Sequence, residues 1–557
     1  MIVMKPIQSK CSPLATILGV AVFASSSSVL LAQSAGVTPE IINSLSAPAK
    51  VETRIGTLEF KDGMPTAATV KSAYDYLDFA HAVDVYINTF QGASLQAFRE
   101  GMLSVGVQDN QIVIWSELMD AKSLLLTANA DVVYYLGFVD LTKGPMVVET
   151  PPGALGTFDD IWFNFVIDFG LPGPDRGKGG KYLVLPHDYD GPVPQGGFYV
   201  ARAHTTHVWL GGRSFLANND PKPTADLVKN TLKIYPYVAG AEGTSIAEIL
   251  TGTVKPGKEV PPPPMRFVEG TDLSINTIPP SDYRFYEMMD RLVQQQPVGA
   301  IDAERMGQLA SIGIVKGKPF APDDRMKKIL TEAAAVGMAV SRTLAFKARA
   351  SEGFAYYPGS AWINQLWLGG YTMQTPPPMV TPAGIVPFPP TGATTLNART
   401  AMFYYATGIT PAMIMRLTGI GSQYIWAFVD ADKNDLDGGK TYKVTLPKDI
   451  PQERFWSITL YDNQTRSMLD TPQRFPRAGS QSYPSPAAES AADGTTTVYF
   501  GPTQPTSVKR GNWIQTMPGK GYSVMLRLYS PLEPFFAKTW RPSEIEEVSQ
   551  AGGRALR

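Results

Sequence analysis

The sequence predicts a mainly β protein with some α structure, in which a helical middle region joins two β-rich lobes. Short runs of β-branched and aromatic residues lie in the first and last thirds of the chain, as at 160–169 and 522–529. Between them, apolar residues recur at spacings of three and four over 281–350, which is typical of amphipathic helices. The 50 glycines and 47 prolines favour turns and short strands over long helices.

The first lobe is predicted to begin with a helix and to continue as strands. Apolar residues at helical spacing predict one helix over 66–101. Alternate residues are apolar at 160–169, so we expect a strand with one face in the core and the other lining a cleft. A further strand is expected at 198–210, and the lobe is expected to end near Phe215.

The remaining chain is predicted to contain helices and then strands again. Proline-rich stretches at 255–265 and 376–390 flank the helical region. Short strands, separated by turn residues, are expected at 442–446, 454–461, 495–500 and 522–529. We therefore divide the chain into a signal peptide (1–35), an N-terminal β-rich domain with a leading helix (66–215), a helical and proline-rich connecting region (216–400) and a C-terminal β-sandwich domain (401–548).

The first residues have the order of a secretory signal peptide. Lys5 and Lys10 are positive, and residues 14–31 carry no charge. Ala32 and Ala35 are small residues suited to cleavage. The alternative is a membrane anchor, but serines interrupt the apolar run, and no later segment is apolar enough to cross a bilayer. We expect a bacterial protein that is periplasmic or secreted, with no transmembrane segment after cleavage.

Composition excludes several classes of function. The net charge of -1 provides no basic field for nucleic acid, so we expect no nucleic-acid partner. The only cysteine is Cys11, so the mature protein has no disulfide, thiol nucleophile or cysteine zinc site. The sequence requires no cofactor.

The candidate metal motifs are incomplete. His204 and His207 are three residues apart, which places them on opposite faces of a regular strand. Asp430, Asp432 and Asn434 have the spacing of the first three ligands of a calcium-binding loop. However, Asp435 occupies the position of the essential glycine, and Thr441 that of the bidentate glutamate. We therefore assign no metal site.

Polar residues within the strands of the first lobe suggest where a site would lie. Asp131, Asp168 and His204 are the catalytic candidates, because carboxylates can act as acid and base and a histidine near an aspartate can carry a proton. The alternative is that these groups make structural hydrogen bonds or lie on a solvated face. The ligand-binding candidates are Asn129, Trp162, Asn164, Arg202 and Arg213.

Three classes of function remain open. The first is an enzyme, a hydrolase or lyase acting on a neutral small molecule or saccharide. The second is a non-catalytic periplasmic protein that binds such a ligand on its aromatic residues. The third is an envelope-assembly protein with a large apolar interface. The sequence also leaves open a homo-oligomer.

In the last lobe, Arg527 and Trp540 are predicted to be structural. Arg527 alternates with Leu526 and Leu528, so its side chain should lie on the face opposite the core. Its guanidinium could bind loop carbonyls or a carboxylate such as Glu533.

Two long blocks of sequence resemble known families. Residues 126–134 and 140–149, with 179–183 and Arg213, resemble the bacterial domain-of-unknown-function family 1254. Residues 455–457, 461–462, 498–502, 512–514, 527–529, 531–534 and 540–542 resemble family 1214. The two families occur together in this order in exported bacterial proteins. The resemblance implies two jelly-roll β-sandwich lobes with a helical insertion, and no particular activity. Val132 replaces a threonine that is usual in the first family.

Overall fold

The structure is a computed structural model that describes residues 38–238, 262–375, 379–381, 384–386, 392–415 and 417–548. The predicted signal peptide and most of the two proline-rich stretches lie outside these residues. The chain forms two compact units, one ending at Ala73 and the other beginning at Tyr74. The first contains a short helix and an antiparallel sheet: α1 (Pro39–Leu45), β1 (Lys50–Thr53), β2 (Gly56–Lys61) and β3 (Met64–Pro65).

Two helices follow where the sequence predicts one. They are α2 (Ala67–Asn88) and α3 (Phe90–Ser104). The break is at Thr89, whose φ of -115° and ψ of 7° leave the helical region. Its hydroxyl donates a hydrogen bond to the carbonyl of Val85 at 2.6 Å. The predicted helix is therefore correct in type, and the prediction of a single helix is wrong.

The first lobe contains two main sheets. A six-stranded sheet has the order β14-β4-β6-β12-β8-β9, and a four-stranded sheet has the order β11-β10-β7-β13. The rings of Phe158 and Tyr182, one from each sheet, lie 5.8 Å apart, so the two sheets pack together. The elements of this lobe are β4 (Ile112–Ile114), β5 (Ser123–Leu124), β6 (Val133–Asp140), β7 (Met146–Thr150), β8 (Ala154–Asp160), β9 (Phe165–Gly170), β10 (Gly180–Leu185), β11 (Tyr199–Arg202), β12 (His207–Ser214), α4 (Pro221–Thr231), β13 (Lys233–Pro236), β14 (Phe267–Glu269) and β15 (Ile275–Asn276).

Two strand predictions in this lobe are wrong. Residues 160–169 do not form one strand, because the chain turns after Asp160. The Oδ1 atom of Asp160 accepts hydrogen bonds from the backbone N–H groups of Trp162 and Asn164, at 2.8 and 2.9 Å, and Phe163 has a φ of 53°. An aspartate that binds nearby N–H groups in this way stabilises a turn instead of a sheet ladder. Residues 198–210 likewise divide into β11 and β12.

The helical middle region is confirmed. It contains α5 (Arg284–Gln295), α6 (Ala303–Ser311) and α7 (Asp324–Phe346). The side chain of Asp302 accepts from the backbone of Arg305 and caps α6, and Asp323 caps α7 in the same way. By length and composition α7 is apolar enough to cross a membrane, so the expectation that no later segment is apolar enough is wrong, although core helices of soluble proteins pass the same test. One of its faces is buried, including Leu330.

The second lobe is a sandwich of two four-stranded sheets, with orders β20-β26-β22-β23 and β25-β24-β21-β27. Its core contains Ile458 and Leu526 from one sheet and Val444 and Val498 from the other. The four predicted strands are present, two with slightly longer bounds. The elements are β16 (Gln374–Thr375), β17 (Met379–Thr381), β18 (Gly384–Val386), β19 (Ala393–Thr394), α8 (Leu396–Tyr405), α9 (Pro411–Ile414), β20 (Ser422–Ala427), β21 (Tyr442–Leu446), β22 (Gln452–Asp462), β23 (Arg477–Gly479), β24 (Thr496–Gly501), β25 (Trp513–Gln515), β26 (Tyr522–Pro531), α10 (Glu533–Phe536) and β27 (Glu546–Glu547).

Helix α8 packs against both lobes. Phe403 stacks on Phe163 of the first lobe with ring centroids 5.1 Å apart. Tyr405 lies edge-on to Trp426 of the second lobe at 6.3 Å. The predicted fold class, two β-rich lobes joined by a helical region, is confirmed.

Candidate functional site

A cavity of about 90 Å³ lies between the two lobes. The first lobe contributes β6, β8 and β12, and the second contributes β20 and β26. The segment 406–413, which follows α8, forms a third wall. Roughly 10–15 Å³ of such space holds one water, so the cavity has room for several waters or for one small organic molecule.

Strand β12 leaves space for this cavity because it carries glycine. Trp209, Gly211 and Arg213 are at alternate positions of the strand and therefore share a face. A Cβ atom at Gly211 would overlap the indole ring of Trp209, which lies over this glycine. The ring also contacts the position of Gly408, where a Cβ atom would be 3.3 Å from it. The indole is thus fixed between a strand of the first lobe and the third wall.

Arg213 lies at one end of this face and binds only neutral partners. Its guanidinium donates to the hydroxyls of Ser422 at 2.8 Å, Tyr424 at 3.1 Å and Tyr134 at 3.4 Å. Among the described residues, it forms no ion pair with a carboxylate. Burial is the largest effect on the pKa of Tyr424 and raises it, but the charges of Arg213 and Arg527 and the hydrogen bonds with Ser422 and Arg213 together lower that pKa overall. The end of the cavity is therefore positive.

Arg527 brings a second cation to the same cavity from β26. It donates to the hydroxyl of Thr459 at 2.9 Å and to the carbonyl of Thr127 at 3.1 Å. A third donor contacts the hydroxyl of Tyr461. The residue is 2% exposed and, in the described part of the chain, has no carboxylate within ion-pair distance. The expectation that Arg527 binds loop carbonyls agrees with this geometry, and the residue also contributes its charge to the cavity.

Two buried carboxylates stand behind the third wall. Asp159 accepts a hydrogen bond from the backbone N–H of Ile409 at 3.2 Å, and Asp168 accepts from the hydroxyl of Thr410 at 3.4 Å. Thr157, which pairs with Asp168 across β8 and β9, lines the cavity together with Thr410. The Oδ1 atom of Asp168 has no hydrogen-bond partner among the described residues.

The surroundings of these carboxylates favour their neutral forms. Burial raises the pKa of Asp168 from 3.8 to about 7, although Thr410 partly opposes this. Burial also raises the pKa of Asp159, and the neighbouring Asp168 adds to that effect. Near neutral pH, Asp168 can therefore either donate or accept a proton.

The raised pKa of Asp168 has a consequence for stability. Between about pH 4 and pH 7 the unfolded chain loses the proton of this group while the folded chain keeps it. The unfolded state thus binds fewer protons, so the free energy of unfolding falls as the pH rises through this window. The contribution levels off above about pH 7, where both states are ionised.

Asp131 does not lie at the cavity but in an ion pair between the lobes. Its Oδ1 atom is 2.8 Å from the Nε atom of Arg477, and both side chains have no exposed surface. The pair lacks the alignment of a hydrogen bond, so its attraction is mainly electrostatic. Asp131 also accepts from the hydroxyl of Ser457 at 2.6 Å, and its backbone N–H donates to Asn129 at 2.6 Å. Asn129 in turn donates to the hydroxyl of Tyr529.

The remaining candidates lie in separate places. His204 is exposed in the turn between β11 and β12. Arg202 is exposed and donates to the carbonyl of Pro186 at 2.9 Å. Trp162 is buried against α3, and Asn164 donates to Asp160 within the turn at 3.0 Å. The structure therefore brings Arg213 to the cavity and Asp168 behind one of its walls, and it does not assemble the predicted catalytic trio.

Sequence reasoning did not find most of the cavity. Tyr424, Trp426 and Thr410 come from segments in which no motif was recognised. The one available signal was Arg527, a charge in the middle of an otherwise apolar strand, which was interpreted as structural alone.

Asp109, Asp140 and His207 form a cluster with metal-ligating side chains outside the cavity. Arg99 already binds Asp109, with Nε 2.8 Å from Oδ1. The amide of Gln296, oriented by the backbone of Thr206, donates to Nδ1 of His207 at 3.2 Å. The ring proton therefore sits on Nε2, which faces Asp109 at 3.7 Å. This arrangement is a hydrogen-bonded network rather than a metal site.

Comparison with known proteins identifies the two lobes. Residues 110–236 match the family described as protein of unknown function DUF1254, and residues 421–533 match DUF1214. The two matched segments follow each other in the order that the sequence resemblance predicted. No protein with a curated description matches the chain.

Solved structures of low sequence identity are also similar to the chain. The VPA0106 protein from Vibrio parahaemolyticus is 18% identical with a TM-score of 0.49, and the match covers 85% of this chain and all of that one. An uncharacterised protein from Burkholderia cenocepacia is 13% identical with a TM-score of 0.36, and the match covers 86% of this chain and 99% of that one.

Proposed function

We propose that the cavity between the lobes binds a small organic anion, with its anionic group against Arg213. The observation that carries this proposal is that Arg213 and Arg527 both line the cavity and neither forms an ion pair with a described carboxylate. The sequence alone favoured a neutral ligand, whereas the two guanidiniums at the cavity favour an anionic one.

The energetics of a buried cation support this assignment. A charge removed from water is costly unless an opposite charge or several hydrogen bonds compensate it. A guanidinium matches a carboxylate with two parallel hydrogen bonds. The partners of Arg213 are hydroxyls, which can rotate and exchange donor and acceptor roles when a ligand arrives. The partners of Arg527 include a backbone carbonyl, so this residue supplies charge while remaining fixed.

Calorimetric titration with paired ligands tests the proposal. Each small carboxylic acid used as a ligand is compared with its neutral primary amide. The proteins are wild type, Arg213→Gln and Arg284→Gln. Arg284 serves as the control because it is exposed and paired with Asp282. We expect the carboxylate to bind at least about tenfold more tightly than the amide, a difference of roughly 1.4 kcal/mol. Arg213→Gln should abolish the preference and Arg284→Gln should keep it. Equal binding of acid and amide by wild type would overturn the proposal.

An enzymatic role is the second candidate, and Asp168 is the residue that favours it. Its pKa of about 7 suits a general acid or base, and its Oδ1 atom has no described partner. A hydrolase or lyase would use this proton on the bound molecule. The test is turnover of any ligand identified by titration, in wild type and in Asp168→Asn. Binding without turnover in wild type would favour the non-catalytic binding protein.

Export remains part of the proposal and rests on the sequence of residues 1–35. We expect the mature chain to begin at Gln33 or Gly36. Mass spectrometry of the periplasmic fraction should show this new N-terminus, and an intact chain beginning at Met1 would contradict it.

A further inference from the structure

Two buried indole groups at the cavity carry information about the ligand. Trp209 is 6% exposed and Trp426 is 2% exposed, and both side chains line the cavity. The Nε1 atom of each has no hydrogen-bond partner among the described residues. An indole N–H is a donor only, so each requires an acceptor that the described protein does not supply. Leaving a buried donor unpaired is costly, and most such groups in proteins are paired.

The two indoles come from opposite lobes. Trp209 belongs to β12 and Trp426 to β20. Contacts hold both rings in place: Trp209 lies edge-on to Phe163 at 5.9 Å, and Trp426 lies 6.0 Å from Tyr424. The donors are therefore held in place before a ligand binds, which lowers the entropy cost of binding.

The strands carry different groups at different positions along the cavity. On β12, Trp209 and Arg213 share a face, and the indole ring of Trp209 lies over Gly211 between them. On β20, Ser422 and Tyr424 bind Arg213, and Trp426 follows at the next position of the same face. The cavity is cationic near Arg213, and its lining also includes the two tryptophans and apolar residues such as Met402 and Met413.

We infer that the ligand is a carboxylic acid with a second, uncharged acceptor several bonds from its carboxylate, such as an oxo or hydroxy acid with an apolar body. The carboxylate lies against Arg213, and the carbonyl or hydroxyl oxygen accepts hydrogen bonds from Trp209 and Trp426. This inference rests on the proposed function and narrows its ligand class.

The experiment compares carboxylates of one chain length that differ only in the second group. The probes are saturated carboxylates, the matching oxo acids with the carbonyl near to or far from the carboxylate, and the matching hydroxy acids. Calorimetric titration is carried out on wild type, Trp209→Phe, Trp426→Phe and Trp162→Phe. Trp162 is the matched control, because it is 1% exposed and its Nε1 atom also has no described partner, yet it does not line the cavity.

We expect wild type to bind the distal oxo acid about tenfold more tightly than the saturated acid, the scale of one or two net hydrogen bonds. Each cavity tryptophan variant should lose part of this preference, measured as the ratio of its affinities for the oxo acid and the saturated acid. Trp162→Phe should keep the whole preference.

The outcomes separate the inference from the proposal on which it rests. If saturated and oxo acids bind equally to wild type, the indoles face water and the inference fails while the anion site stands. If no carboxylate binds, the proposed function itself fails. If Trp162→Phe lowers the preference as much as the cavity variants, the effect is structural and the inference fails.

Discussion

Asp131 and Arg477 form a buried ion pair that joins the lobes, and Asp131→Asn tests its contribution to stability. Asparagine has nearly the same shape and can still accept the hydrogen bond from Ser457, which is 2.6 Å from Oδ2. The substitution removes the charge that compensates Arg477 and places an amide NH2 group, a donor, against its guanidinium. The other polar contacts of this arginine are long, at 3.4 Å to the carbonyl of Gln481 and 3.5 Å to the hydroxyl of Ser485.

The expected loss follows from the burial of the pair. Both side chains have 0% exposure and the charges are 2.8 Å apart, so neither can regain water without opening the interface. Removing one partner of such a pair typically costs about 3–5 kcal/mol, because the other charge remains buried alone. The double variant Asp131→Asn, Arg477→Met should recover part of this loss, since it leaves no unpaired charge.

Urea unfolding measures these differences, followed by far-ultraviolet circular dichroism and by tryptophan fluorescence to check that both report one transition. Glu547→Gln is the control, because it removes an exposed pair with Lys440 of similar distance, 2.9 Å, and should cost no more than about 1 kcal/mol. If Asp131→Asn costs no more than Glu547→Gln, the pair does not stabilise the interface and the reasoning is refuted. Anion binding should survive in Asp131→Asn, since this residue does not line the cavity.

Three further predictions concern the cavity and its surroundings. From about pH 5 to pH 8, the unfolding free energy of wild type should fall by about 2–3 kcal/mol relative to that of Asp168→Asn, because ionising the buried Asp168 opposes folding. Asp432→Asn, a control at an exposed aspartate, should follow wild type. Parallel curves for all three proteins would contradict the raised pKa of Asp168. Gly211→Ala should abolish ligand binding in titrations, because the new methyl group would displace the indole ring of Trp209. Gly307→Ala is the control, because this glycine lies in α6 with open space around it. It should stabilise the chain by about 0.5–1 kcal/mol and keep binding. Gly479→Ala should cost about 1–3 kcal/mol in urea unfolding, since its Cβ atom would overlap both the guanidinium of the buried ion pair and the backbone oxygen of Trp456. An unchanged midpoint would show that both neighbours can move aside.

The elements predicted from the sequence were correct where one local pattern dominated. Strand 442–446 was predicted with its observed bounds, because its side chains alternate and turn residues flank it. The helical region was found because its apolar residues keep a regular spacing. The failures at Asp160 and Thr89 have a different cause. In both, a polar side chain binds the nearby backbone and interrupts an element whose apolar spacing continues across the break.

The site was predicted only in part for a related reason. Asp168 was placed by its expected position on a strand face, and it does lie beside the cavity, although the strand that supported this reasoning is interrupted. Asp131 was grouped with it because both are carboxylates in apolar surroundings. The charge of Asp131 is compensated by an arginine more than three hundred positions away in sequence, whereas Asp168 has no such partner among the described residues. Sequence reasoning could not separate these two cases.

The sequence by itself determined the approximate position and type of most strands and helices, because these depend on spacing among neighbours within one element. It also contains the two segments that resemble these families, in the order in which the family models match them. Only the tertiary structure decided which charges are paired and which are left over. Arg477 is structural because folding placed a carboxylate beside it. Arg213 is a candidate anion-binding residue because folding placed three hydroxyls beside it instead. The energy of a buried charge depends on its few nearest neighbours in space, and these come from opposite lobes of the chain.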